Sequence, residues 1–137
     1  MKSTYLCNPR TFILIPRRMM DYLFFYFALS LMIMHEIDAV RCKEWRIFPG
    51  LASLGDRVGY IIFIFAHLPL FVLVLWYLNY SENPTGFIQG FCVFSMIHIG
   101  LHLLFYKHRY NEFKDWISWS LILGAGLAGL LQLVWMA

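Results

Sequence analysis

Histidine and aspartate side chains recur in this sequence at spacings that suit a metal site. His98 and His102 are four residues apart, so on a helix they project from one face, one turn apart. His35 and Asp38 are three residues apart and also share a face. One helix often supplies two of the ligands of a metal site in this way, because imidazole nitrogen binds zinc, iron and other first-row metals. These four residues are the first candidates for chemistry.

His67 is a fifth candidate. Pro69 follows two positions later and has no N–H, so it leaves the carbonyl of Phe65 free and predicts a kink beside His67. We expect His67 to be a further ligand or an acid or base, with a simple packing role as the alternative. Glu36 points about 100° away from His35 on a helix, and its role stays open at this stage.

The candidate residues lie in long apolar segments, and the composition of these segments indicates the class of protein. Of the 137 residues, 61% are hydrophobic and only 14% are charged, whereas a soluble domain has about 25% charged residues. The charges avoid four windows of about 20 residues, the length that crosses a bilayer as a helix. We predict spans at about residues 19–40, 58–80, 86–106 and 116–136. The predicted fold class is an all-α integral membrane four-helix bundle that forms a single domain.

Alternating helix directions bring the candidate residues to one depth. The end of the first span, the start of the second and the end of the third share one membrane side. At ~1.5 Å per residue, His35 lies ~7 Å from that side, His102 ~6 Å, His98 ~12 Å and His67 ~13 Å. Three helices thus place polar groups in one layer, where each is costly in lipid. We predict a metal site that uses these residues together with Asp38.

A transition metal ion, with zinc or iron favoured, is the cofactor that this ligand set predicts. Four protein ligands would make the site structural, whereas three ligands and an open position would make it catalytic. The leading hypothesis is a metal-binding membrane protein, with a metal-dependent enzyme on a lipid-soluble substrate as its specific form. One alternative is an oligomeric transporter or proton-relay channel. The other is a structural accessory subunit, in which the polar groups are interhelical hydrogen bonds.

Charge distribution predicts the orientation and the partners. The loop flanks carry Arg41, Lys43, Arg46, Arg57, Lys107, Arg109 and Lys114, and the lead-in before the first span carries Lys2, Arg10, Arg17 and Arg18. The larger number favours loops 41–57 and 107–115 on the cytoplasmic side of the cell (inner) membrane. The lipid bilayer is therefore a predicted partner and nucleic acid is not, because there is no compact basic surface with exposed aromatic residues. Loop carboxylates such as Glu44 and Asp115 are expected to pair with neighbouring Arg and Lys.

The last span carries a face of small residues. Gly124 and Ala128, and likewise Ala125 and Gly129, are four residues apart. Such a face lets another helix approach closely. Packing inside the chain is the default, and a homo-oligomer through this face is the sharper alternative. We expect Gln132, in the same half of the span, to form a hydrogen bond across the helix contact.

The start of the chain and the cysteines carry two further signals. Residues 1–18 are interpreted as a polar and basic lead-in at the membrane interface, because no signal-peptide cleavage pattern follows them. Cys7, Cys42 and Cys92 are widely spaced and form no C-x-x-C, which argues against a disulfide framework.

The segment His35-Glu36-Ile37-Asp38-Ala39, followed by Glu44-Trp45 and Pro49-Gly50, resembles small, mostly uncharacterised bacterial membrane proteins. These proteins have a His-Glu-x-Asp motif at the end of the first helix and Glu-Trp after it. The segment is also distantly similar to the membrane family named for a His-x-x-Glu-Glu motif, with Asp38 and Ala39 in place of the two glutamates. The stretch from His98 to His102 is similar to the histidine-bearing third helix of such proteins. The resemblance covers most of the chain and implies four helices in a membrane, with no established activity.

Overall fold

A computed structural model describes residues 21–137, and this part of the chain is all-helical. In order, its elements are α1 (Leu23–Arg41), a 3₁₀ helix (Glu44–Arg46), α2 (Pro49–Ala52), α3 (Asp56–Tyr80), α4 (Thr85–Leu104) and α5 (Trp116–Met136). The four long helices are each long and apolar enough to cross a membrane. The all-α prediction is therefore confirmed for these residues. The predicted lead-in, residues 1–18, and Cys7 lie outside the described residues, while Cys42 and Cys92 are free thiols.

Local sequence signals account for where the long helices begin. Asp115 precedes α5, and its Oδ1 accepts a hydrogen bond from the Ser118 N–H at 2.8 Å, which satisfies an amide that has no partner within the helix. Before α4, the Asn83 side chain accepts from the Thr85 N–H at 3.2 Å. Gly55 precedes α3 with a φ of 82°, which glycine adopts without strain. Each of these residues sets the first turn of the helix that follows it.

Helix α5 is the element against which both α1 and α4 pack. The approach of α4 is close because α5 presents glycine to it. A Cβ added at Gly129 would lie 2.9 Å from the carbonyl oxygen of Cys92. One added at Gly126 would overlap the Ile99 side chain. The position of α4, and with it the position of its histidines, therefore depends on the absence of side chains at these two sites.

The small-residue face predicted on the last span packs inside the chain. Ala125 and Ala128 are buried, and Gly129 faces α4. On the α1 side, a Cβ added at Gly124 would meet a methyl group of Leu31 at 3.1 Å. The sequence predicted this packing inside the chain as the default. A homo-oligomer through Gly124, Ala125, Ala128 and Gly129 stays a prediction.

Gln132 joins α5 to the start of α1. Its side chain is fully buried, and its Oε1 accepts a hydrogen bond from the Phe25 N–H at 2.9 Å. Its Nε2 donates to the carbonyl oxygen of Asp21, also at 2.9 Å. The first amide groups of a helix have no partner within it, so a side chain from another helix satisfies one of them here. The expected hydrogen bond of Gln132 across the helix contact is present.

Helix α3 packs mainly on the 3₁₀ helix and α2 rather than along the other long helices. The Trp45 ring lies 5.2 Å from the Tyr60 ring and 5.9 Å from the Phe63 ring. Trp45 also donates a hydrogen bond to Asp56 Oδ1 at 2.9 Å. Gly59 permits this approach, because a Cβ added there would lie 2.9 Å from Trp45 Cδ1. The connecting segment thus holds α3 at one end and leaves a gap between α3 and the pair α1 and α4.

Candidate metal centre

Three histidines from α1 and α4 meet inside the structure. His102 Nε2 lies 3.2 Å from His35 Nε2 and 3.1 Å from His98 Nε2. One ligand atom from each residue lies within 4.8 Å of the other two, so the three could hold a metal ion. His35 and His102 are buried. We call these three residues the tri-histidine site. The spacing of four on α4 and the shared depth of α1 and α4 are the two features that predicted this convergence.

The nitrogen atoms of the tri-histidine site are arranged in a way that suits ligands. A ring nitrogen carries at most one proton or one lone pair, so only one of the two contacts of His102 Nε2 can be a full hydrogen bond. Tetrahedral zinc with Zn–N bonds of about 2.05 Å separates its ligand nitrogens by about 3.3 Å. The observed separations of 3.1 and 3.2 Å are close to that value. The three ligand atoms together lie within 4.8 Å of one another, so an ion bound at about 2.05 Å from each would draw the widest pair closer together.

Ring packing orients His35. Its ring centroid lies 4.9 Å from that of His98 and 4.8 Å from that of His102, both nearly edge to face. Within residues 21–137, His35 Nδ1 has no hydrogen-bond partner. Metal-ligating histidines usually donate this second nitrogen to an oxygen. Here the neighbouring aromatic rings take over the orienting role.

Phe113 covers the tri-histidine site from the loop between α4 and α5. Its side chain is fully buried, and its ring centroid lies 4.7 Å from that of His102 and 5.4 Å from that of His35. Asn111 holds the loop in place: its Oδ1 accepts from the Phe113 N–H at 2.9 Å, and its Nδ2 donates to the carbonyl of Phe105 at 3.1 Å. The site is therefore closed on its loop side by an apolar ring.

Glu44 reaches the same site from the 3₁₀ helix. It is buried, and its Oε1 lies 3.8 Å from His102 Nε2. Lys43 adopts a left-handed conformation, with a φ of 50°, and this turns the chain back beneath the helices. Burial, with the nearby charge of Glu36, raises the pKa of Glu44 to about 8. The expectation that Glu44 pairs with Arg or Lys is wrong within the described residues, because its one ionic neighbour there is His102.

Asp38, predicted as a ligand, is not brought to the tri-histidine site. Its Oδ1 accepts from Arg41 Nε at 2.7 Å, and its Oδ2 accepts from the Ser118 hydroxyl. Arg41 also pairs with Asp115, at 2.7 Å. Residues three apart on a helix differ by about 60° in direction, which is enough to turn Asp38 toward α5. Burial and the charge of the Asp38 carboxylate raise the pKa of the neighbouring Cys42 to about 11, so Cys42 stays a thiol.

His67, the other predicted ligand, pairs with Glu36 instead of joining the three histidines. His67 Nε2 lies 2.8 Å from Glu36 Oε2, and His67 Nδ1 lies 2.7 Å from the carbonyl oxygen of Phe63. A carbonyl oxygen only accepts, so Nδ1 carries a proton and donates it. We call these two residues the Glu36–His67 pair.

A cavity of about 680 Å³ lies between α3 and the α1–α4 pair. Its polar lining residues are Glu36, Glu44, His67, His98 and His102. The rest of the wall is apolar, and within the described residues no lysine or arginine lines it. A second cavity of about 320 Å³ continues along α3 and shares Glu36, Leu70 and Phe94 with the first. Two of the three site histidines therefore face a largely apolar space.

Sequence reasoning missed Glu44 and Phe113 as parts of the site. Both lie in polar loops, where a carboxylate is usually solvated and a phenylalanine usually marks an interface. The one available signal for Glu44 was its place in the Glu44-Trp45 pair that carried the family resemblance. Phe113, between Glu112 and Lys114, gave no such signal.

Comparison with known proteins gives a family and no activity. The family whose sequence model matches the chain is described as a family of unknown function, DUF6713, and the match covers residues 22–137. This range includes the four long helices and every residue of the tri-histidine site. No curated protein and no solved structure matches the chain. Its function must therefore be argued from the site.

Proposed function

We propose that this chain, which belongs to DUF6713, a family of unknown function, is a metal-binding integral membrane protein. The tri-histidine site is its transition-metal site, with zinc or iron the favoured ion because both accept imidazole ligands. The observation that carries the proposal is the convergence of one ligand atom from each of three histidines within 4.8 Å. His35, His98 and His102 are the proposed ligands.

Outward-facing side chains support a membrane location. Large apolar residues are exposed along the long helices, among them Phe65 at 66% and Leu73 at 55% on α3. A soluble protein rarely exposes an apolar area this continuous, whereas lipid accepts it at no cost. We therefore propose a multi-pass protein of the cell (inner) membrane, with loops 41–57 and 107–115 on the cytoplasmic side.

The proposed activity is metal-dependent chemistry on a lipid-soluble substrate. A metal held by three protein ligands keeps a position open, and such a metal lowers the pKa of bound water or polarises a carbonyl. Glu44, with Oε1 at 3.8 Å from His102 Nε2, lies where a carboxylate could take up a proton beside that position or complete the ligand set. His98 and His102 line the apolar cavity, so a substrate would reach the site from the lipid side of the structure.

A proton relay is the competing use of the same residues. The two Nε2 contacts of His102 would form its steps, since hydrogen-bonded histidines carry protons in membrane proteins. A relay needs an onward partner, however, and within residues 21–137 His35 Nδ1 has none. The chain of contacts therefore stops at His35, which favours a ligand set over a pathway.

Metal analysis of the purified protein tests the proposal. We expect wild-type protein in detergent to retain a stoichiometric amount of zinc or iron after dialysis against a weak chelator. His98→Ala should lose that metal, because two nitrogens hold a first-row ion far more weakly than three. His67→Ala should keep it, since His67 pairs with Glu36. His108→Ala, in the loop after α4, is the matched control for loss of one imidazole.

Glu44→Gln separates the two roles of the carboxylate. If Glu44 is a ligand, the variant loses metal, and if it handles a proton, the variant keeps metal. Wild-type protein that binds no transition metal, or a folded His98→Ala variant with unchanged metal content, would refute the metal assignment. Circular dichroism and size-exclusion chromatography report whether each variant remains folded.

A further inference from the structure

The Glu36–His67 pair has no part in the proposed metal centre, yet it lines the same cavity as His98 and His102. Both of its residues are mostly buried, with side-chain exposures of 18% for Glu36 and 20% for His67. Glu36 Oε2 is taken up by His67, while Glu36 Oε1 makes no hydrogen bond within residues 21–137. A carboxylate oxygen that lines a cavity is a ready acceptor for a ligand O–H or N–H group.

Among the described residues, the side chains that line the cavity offer an anionic head group no basic partner. Two carboxylates line it, and within the described residues no lysine or arginine does. Two arginines of the adjoining segment pair with aspartates instead, Arg46 with Asp56 at 2.6 Å and Arg41 with Asp38 at 2.7 Å. At the Glu36–His67 end of the cavity, a phosphate head group would thus lie in a largely apolar space without a lysine or arginine from the described residues, which is costly at low dielectric.

The shape of the cavity suits one apolar chain. The second cavity is less than half the volume of the first, at about 320 against 680 Å³. It follows α3 from Leu70 to Val74, a distance of ~6 Å at 1.5 Å per residue. Glu36 belongs to both cavities and stands where the polar end meets the apolar arm. Together the two volumes are in the range that binds a molecule of drug-like size.

We propose that the substrate is a single-chain amphiphile with an uncharged head that carries a hydroxyl group. The head lies between the tri-histidine site and the Glu36–His67 pair, and the chain runs along α3 past Leu70 and Phe94. Glu36 Oε1 accepts the hydroxyl proton as a hydrogen bond. This assignment rests on the proposed function, because it names the substrate class of the same site.

Photo-crosslinking in lipid nanodiscs tests the assignment. The probes are three C12 chains with the same diazirine on the chain, one ending in an alcohol, one in a carboxylic acid and one in a phosphate monoester. We expect the alcohol to label α3 and α4 along the cavity, with labelling mapped by mass spectrometry and reduced by excess dodecanol. The acid and the phosphate should label the cavity at least about tenfold less, which corresponds to about 1.4 kcal/mol.

Two variants and a matched control locate the binding site. Leu70→Trp fills the arm and should reduce cavity labelling about tenfold, whereas Leu73→Trp, on the exposed face of the same helix, should leave it unchanged. Glu36→Gln keeps the size of the side chain and should weaken labelling by the alcohol. Labelling that is equal for all three head groups, or that is insensitive to Leu70→Trp, would overturn the assignment.

Metal content measured in the same nanodisc samples separates this inference from the proposed function. Wild-type protein that lacks metal but still labels selectively with the alcohol would refute the metal centre and leave the ligand class standing. Protein that retains metal through His98 but binds the phosphate probe best would refute the ligand class alone.

Discussion

Replacement of Gly129 by alanine tests how the structure holds the two histidines of α4 against α1. The added Cβ would lie 2.9 Å from the carbonyl oxygen of Cys92 and 3.3 Å from its Cα, both backbone atoms, whereas ordinary contacts begin at 3.4 Å. Helix α4 must therefore move away by about 0.5 Å. Overpacking of this kind costs about 1–3 kcal/mol, and alanine in a helix regains about 1 kcal/mol over glycine. The net expectation is a destabilisation of about 1 kcal/mol.

Gly124→Ala is the matched control on the same helix. There the nearest atom is a methyl group of Leu31 at 3.1 Å, which a small rotation of the side chain can move. The helix gain then dominates, so this variant should be up to about 1 kcal/mol more stable than wild type. The two alanine variants should differ by about 2 kcal/mol, or about thirtyfold in the unfolding equilibrium.

The assay is unfolding of the purified protein in mixed micelles with increasing SDS, followed by circular dichroism, with metal content measured on the folded fraction. Gly129→Ala should unfold at lower SDS and hold metal more weakly, because His98 and His102 move with α4. Equal stability of the two variants would refute the close backbone contact between α4 and α5. A change of oligomeric state in Gly129→Ala at unchanged stability would instead favour the homo-oligomer through this face.

Three further predictions address the site and its support. Protons compete with a metal for imidazole nitrogen, so bound metal should be retained near pH 8 and released as the pH falls, which metal analysis after dialysis measures. Phe113→Ala removes the ring that covers His35 and should lower the free energy of unfolding by about 3–5 kcal/mol. Tyr110→Ala is the control in the same loop. An unchanged SDS unfolding curve for Phe113→Ala would contradict the packing described. Gln132→Leu leaves the Phe25 N–H and the Asp21 carbonyl without their partner. It should lower the free energy of unfolding by about 1–3 kcal/mol in the same assay. An unchanged free energy of unfolding would mean that other groups satisfy both.

The helices and the paired histidines of α4 could be predicted from sequence because both depend on local spacing. Apolar windows of sufficient length give helices in any environment that lacks water. The four-residue spacing of His98 and His102 fixes their common face without knowledge of the neighbours. Depth along the alternating spans then pointed to His35 as their partner across the helix contact.

The structure does not bring the other predicted ligands, Asp38 and His67, to the three histidines, because depth does not determine direction around a helix. Asp38 lies at the right level, yet Arg41 and Ser118 both donate charge-assisted hydrogen bonds to its carboxylate and turn it toward α5. His67 likewise has a nearer partner in Glu36. Competition among several polar groups at one level depends on the rotation of each helix, and a hydropathy pattern does not contain that rotation.

Glu44 was missed for a different reason. Its approach to His102 requires the left-handed residue Lys43 and the 3₁₀ turn that follows, a loop path that no periodic pattern reveals. A non-glycine residue with positive φ is uncommon, and a lysine in the sequence does not predict this backbone conformation. Loop residues that fold back onto a helical site therefore need a structure to be found.

The packing of α1 and α4 on α5 has a consequence for biosynthesis. Helix α5 follows the other helices in the chain, so a ribosome completes it after α1 and α4 have already been made. Until α5 docks, the first turn of α1 lacks the side chain of Gln132, and α4 has no glycine face to lie on. The tri-histidine site would then form only once α5 has docked, and the proposed metal would bind after translation of α5 rather than guide the earlier helices. A nascent chain arrested before Trp116 should accordingly insert its helices and acquire no metal.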